Sequence, residues 1–120
     1  MVAIHNTVGT LVVLAFLALA VANGLRAGGR SLPWARYVSY GAATLLLFQY
    51  LLGFSLLGSE GRSITWTHYT IALLALVPVG VEHGFANTRA SERARGRAGL
   101  AATVVSFILV LIAYAIGMGN

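Results

Sequence analysis

Four stretches of this sequence run for more than twenty residues with at most one formal charge each: residues 3–25, 36–57, 65–86 and 98–118. A helix needs about 20 predominantly apolar residues to cross the hydrocarbon of a bilayer. The runs are continuous, without the alternation of a barrel strand. Lipid offers backbone groups no partner, so helices are the form such runs can take. The chain is 58% hydrophobic and 9% charged, with a mean hydropathy of +0.83, more apolar surface than a soluble domain of 120 residues can bury. The expected fold is an all-α membrane protein: a single domain over residues 1–120, with four transmembrane helices in an up-down-up-down bundle.

The segments between the runs carry punctuation. Gly24, Gly28 and Gly29 are expected to end the first helix, Ser31 to cap the second and Pro33 to sit in its first turn. "GSEGRSIT" reads as a short polar turn and "NTRASERARGR" as a longer basic one. Pro78 is expected to kink the third helix. The first run reads as a span and not as a cleaved leader, because no positive charge precedes it and arginines follow it at once.

The net charge of +5 comes from arginine alone, since no lysine is present. Arg26, Arg30 and Arg36 fall in the first connection and Arg89, Arg93, Arg95 and Arg97 in the third, whereas Arg62 stands in the second. That asymmetry predicts the first and third connections in the cytoplasm and both termini on the outer side of a cell inner membrane. Trp34 with Tyr37 and Trp66 with Tyr69 fall where opposite interfacial belts would lie. The clustering marks membrane topology and not a nucleic-acid groove. With no cysteine, disulfides, thiolate ligands and thiol catalysis are excluded. No phosphate loop or Ser–His–Asp set is present, and Glu60, Glu82 and Glu92 are scattered over different ends and turns.

His5 and His68 each sit just inside the start of an apolar run. With both termini outside, the first and third helices run in the same direction, and in an up-down bundle they are diagonal partners across the core. The two imidazoles are therefore expected to face each other at one level near the outer boundary, as axial ligands on opposite faces of a heme. Gly9 and Ala72, one turn deeper, would give a porphyrin edge clearance. Gln49 and Gly53 lie one turn apart on the second helix, and an amide at that depth is expected to face the interior. Arg62 would pair with propionates at the outer surface. Glu82 and His83 read as a hydrogen-bonded pair near the inner boundary, and the fourth helix, whose polar features are Ser106 and Tyr114, as a structural wall.

At "LFQYLLGFSLL" followed by "WTHYTIALLAL" the sequence resembles one four-helix half of the heme A synthase family. In that family each half has a histidine opening one helix, a glutamine-x-x-leucine-glycine-like segment in the next, and a histidine opening the third. Those features fall here on His5, on Gln49 with Leu52 and Gly53, and on His68. The resemblance implies heme b held by His5 and His68. The family's catalytic pattern also has a glutamate three residues before the first histidine and often an arginine directly after it, where this chain has Val2 and Asn6. Full-length members have eight helices, so this chain would form a homodimer, join a larger membrane redox complex or act as a single-heme half.

The leading functional expectation is a small b-type cytochrome for electron transfer or heme handling near the outer leaflet. The alternatives are a cofactor-free accessory subunit of a respiratory or photosynthetic complex and a half-size heme A synthase-like enzyme.

Overall fold

A computed structural model of the chain describes residues 2–56 and 66–119. Its helices are α1 (Val2–Ala27), α2 (Ala35–Leu56), α3 (Trp66–Leu74), α4 (Leu76–Gly84) and α5 (Glu92–Gly119), with a short 3₁₀ turn at Ala86–Thr88. α3 and α4, with the turn that follows, form one interrupted span, so four helices are long and apolar enough to cross a membrane. Each presents large apolar side chains outward, among them Leu17, Leu51, Val77 and Ile108. Such a surface suits lipid.

Local chemistry accounts for the boundaries. α1 continues through Gly24 to Ala27 and ends in a Schellman turn. The Arg30 amide donates to the Leu25 carbonyl at 3.1 Å and the Gly29 amide to the Arg26 carbonyl at 2.9 Å. Gly29 takes a φ of +100° there, a conformation open to a residue without Cβ. Gly29 therefore stops the helix, whereas Gly24 lies inside it. Ser31 does not cap α2, which begins at Ala35 after a turn through Pro33 and Trp34.

The third span breaks at Ala75. Pro78 has no N–H to offer the Leu74 carbonyl, and the helix resumes at Leu76. α5 starts at Glu92, earlier than the apolar run suggests, because Ser91 Oγ caps it by accepting from the Ala94 amide at 3.0 Å. Arg93, Arg95 and Arg97 thus belong to the opening turns of a helix and not to a loop.

α5 packs along α1 and also against α3 and α4; α1 packs in addition against α2. By contrast, α2 scarcely approaches α3 or α4 along the backbone. The core is a stripe of Val8, Val12, Phe16 and Leu19 on α1, meeting Ala42 and Leu46 of α2, Ala75 and Val110. The stripe repeats at helical spacing.

The α1–α5 seam is the closest. A Cβ on Gly96 would lie 2.5 Å from the Arg26 carbonyl carbon and 2.7 Å from Arg26 Cβ, and one on Gly99 would lie 2.9 Å from Asn23 Cγ. Small residues let two helices approach where lipid supplies no hydrophobic drive between them. A buried polar chain fills that approach. Asn23 Nδ2 donates to Thr103 Oγ1 at 3.0 Å, Arg26 Nη1 to Asn23 Oδ1 at 3.0 Å, and Arg26 Nε to Glu92 Oε1 at 2.7 Å. Arg26 is therefore a buried, paired residue and not a solvated loop charge. Gly96→Ala should destabilise the protein by about 1–3 kcal/mol through overpacking. Gly80→Ala, with nothing within 4 Å of the added methyl, should be neutral or stabilising by about 0.5–1 kcal/mol. Thermal unfolding in detergent distinguishes the two.

Candidate functional site

One end of the assembly collects His5 from α1, Gln49, Tyr50 and Gly53 from α2, His68 from α3, and Ala113, Tyr114 and Gly117 from α5 around two small connected cavities. The imidazoles of His5 and His68 face each other with centroids 6.5 Å apart and planes inclined at 71°. Both rings are half-buried.

Each ring is held by the amide or carbonyl of a different helix. His68 Nδ1 lies 2.8 Å from the Ala113 carbonyl, a contact that requires a proton on Nδ1. On His5, Gln49 Nε2 donates to the backbone carbonyl at 2.9 Å and approaches ring Nε2 at 3.4 Å. A flipped Gln49 amide would set two oxygens against each other, so its nitrogen faces His5, and His5 Nε2 is the acceptor of the long contact. His68 thus carries a proton on Nδ1, fixed by a carbonyl as the second nitrogen of a ligand histidine commonly is, and His5 presents the lone pair of Nε2.

Glycines make room for the rings. A Cβ on Gly53 would stand 3.3 Å from His5 Cε1, and one on Gly117 would stand 3.0 Å from His68 Cε1. Gly9 has another part: its open face admits Gln49 Nε2 and the Tyr114 ring, at 3.0 and 3.3 Å from a notional Cβ. It also lines the cavity beside the two rings. Ala72 lines the cavity as expected, and its carbonyl accepts from the Tyr50 hydroxyl across the loose α2–α3 seam. Gln49 Oε1 is buried without a hydrogen-bond partner among the described residues. Arg62 and Glu60 lie outside the described residues.

Three contributors were not foreseen from sequence: Gly117, Tyr114 and the Ala113 carbonyl. All belong to α5, expected to be only a wall. The Ala113–Gly117 pair, one turn apart, was the available signal; a backbone carbonyl leaves none. Tyr114 Oη hydrogen-bonds Thr10 Oγ1 at 2.8 Å, which ties α5 to α1 beside the site.

At the other end, Glu82 and His83 form the expected pair at 2.7 Å, joined by Ser39 of α2. Ser39 Oγ donates to Glu82 Oε2 at 2.7 Å and lies 3.0 Å from His83 Nδ1. Glu82 is 3% exposed, buried among protein side chains. Among the described residues, no group of three or more His, Cys, Asp or Glu side chains gathers at one point.

Comparison with protein-family models, curated proteins and solved structures found no match to this chain. The geometry alone therefore carries the functional reading. Nitrogen NMR of histidine-labelled protein should report the Nδ1–H tautomer for His5 and His68. Gly117→Val should shift the His68 resonances by displacing its ring, while leaving those of His83 in place.

Proposed function

We propose that the chain is a small multi-pass protein of the cell inner membrane, holding one heme b between His5 and His68 near the outer leaflet. In this reading the spans alternate in direction, with the arginine-rich ends of α2 and α5 in the cytoplasm and both termini outside. The observation that carries it is the facing imidazole pair. Two imidazoles bonded to one metal at about 2 Å each, on opposite axial positions, hold their centroids about 6 Å apart. The spacing here is 6.5 Å.

The donor set points the same way. A metal bound by protein alone usually takes about four ligands. Two nitrogens match a metal whose remaining positions a macrocycle fills. Heme iron supplies a one-electron ferric–ferrous couple when bound. The residues would do the rest: His5 and His68 ligate through Nε2, and the Ala113 carbonyl fixes the His68 ring. Gly53 and Gly117 leave the rings room to turn. With both His5 and His68 holding it, such a group would serve electron transfer or heme handling in preference to oxygen chemistry.

The larger cavity beside the rings holds about 80 Å³. A ligand of this class needs a pocket of roughly 300 Å³ or more. Heme binding would therefore require α2 to part from α3, whose backbones do not approach closely and which the Tyr50–Ala72 hydrogen bond joins. Gln49 would swing from His5 Nε2 as the seam opens, keeping its bond to the His5 carbonyl or taking a partner for Oε1. Among the described residues, no Asp or Glu lines either cavity. A homodimer or a larger membrane redox complex is the assembly this reading accommodates.

Protein purified from heme-replete cells should show a reduced-minus-oxidised b-type spectrum. His5→Ala and His68→Ala should each abolish it or cut heme content at least tenfold. A colourless wild-type preparation would overturn the proposal in favour of a cofactor-free accessory subunit.

A further inference from the structure

The end of the molecule opposite the paired histidines holds a cavity of about 630 Å³ between the ends of α1, α2, α4 and α5. Arg26, Arg36 and Arg95 line it, with His83, Tyr40 and one carboxylate, Glu92. Three guanidiniums against one carboxylate leave the wall strongly positive.

Glu92 is already divided. Its Oε1 accepts from Arg26 Nε at 2.7 Å, and its Oε2 lies 3.6 Å from Arg95 Nη1. Arg95 Nε donates to the Arg89 carbonyl at 2.8 Å. Arg36 donates to the Tyr37 hydroxyl at 2.9 Å and lies 4.9 Å from that ring's centroid, and it meets no carboxylate among the described residues. Guanidinium N–H groups thus remain for an anion, in the planar arrangement that suits phosphate oxygens. The second nearby carboxylate, Glu82, is buried and engaged by Ser39 and His83, so three arginines still outnumber the two carboxylates around the cavity.

We propose that this cavity binds a phosphate group, that of an anionic phospholipid. Basic pockets between membrane-spanning helices are suited to such head groups. The seam between α2 and α4 starts at the cavity wall, where Tyr40 of α2 meets His83 of α4 edge-on at 5.8 Å. Exposed Tyr37 and Tyr40 on α2 and Val77 and Val81 on α4 offer apolar surface for the acyl chains. The site is independent of heme.

The test is thermal unfolding of the full chain, purified in detergent and stripped of lipid. Phosphatidylglycerol should raise the midpoint saturably, whereas phosphatidylcholine at equal concentration should not. In Arg36→Gln/Arg95→Gln the apparent affinity for phosphatidylglycerol should fall at least tenfold. Arg30→Gln/Arg97→Gln, which removes the same charge from exposed positions outside the cavity wall, should respond as wild type does. Should the first variant fail to fold, native mass spectrometry of the wild type with the two lipids in competition decides the matter: selective retention of phosphatidylglycerol supports the site, and equal retention overturns it. Equal stabilisation by both lipids, or an unchanged response in Arg36→Gln/Arg95→Gln, likewise overturns the site. Stabilisation by inorganic phosphate with none from phosphatidylglycerol would keep the anion site and overturn its assignment to lipid.

Discussion

Hydrocarbon gives a polar side chain no hydrogen-bond partner, and most of this structure follows from that constraint. An unsatisfied polar group in an apolar medium costs several kcal/mol. Many polar side chains of the four spans therefore gather inward, mainly at two levels near opposite ends, while the exposed Thr7, Thr10 and Ser55 return their hydroxyls to carbonyls four residues back. One level holds Gln49, His5, His68 and Tyr114; the other holds Asn23, Arg26, Glu92, Thr103, Ser39, Glu82 and His83. Between them lies an apolar core built on Val12, Phe16 and Leu46. A polar residue that sits within a span is thereby already placed near others, and near a site where chemistry can occur.

The helices are held together unevenly. α1 and α5 meet closely through Gly96 and Gly99 and are riveted by the Arg26–Glu92 and Asn23–Thr103 contacts. α3 is tied to α5 by the His68–Ala113 contact. The two imidazoles therefore stand on helices that share one firm support. α2 is joined to α3 and α4 by a few side chains, chiefly Tyr50 and Ser39. A cofactor slot needs fixed ligands and one compliant wall, and the proposed heme site draws its support from this uneven distribution of contacts. The same compliance at the opposite end leaves the arginine-lined cavity open.

The spans were legible from composition and run length, because a bilayer demands about twenty apolar residues whatever their order. The two histidines were legible through their matching depth, and Gln49 through the cost of an amide in hydrocarbon. Helix ends were less so. Gly24, Gly28 and Gly29 look alike in sequence, and the ladder of backbone bonds selects Gly29. The start of α5 was hidden because Glu92 to Arg97 reads as a polar loop, while the Ser91 cap and the Arg26–Glu92 pair make it helix. Arg26 read as a topology signal, yet it is consumed in a buried pair that joins residues far apart in the chain. The contribution of α5 to the histidine level was invisible for a similar reason: it is made by a carbonyl, a glycine and a tyrosine, none of which announces a ligand site.

The central claim is that His5 and His68 converge on one metal from opposite sides. Low-temperature electron paramagnetic resonance of the oxidised protein tests it most directly, because the signal depends on both axial ligands and on the angle between their planes. Ligation by both imidazoles predicts a low-spin ferric signal. A high-spin ferric signal, from iron with only one of the two histidines bound, would contradict it.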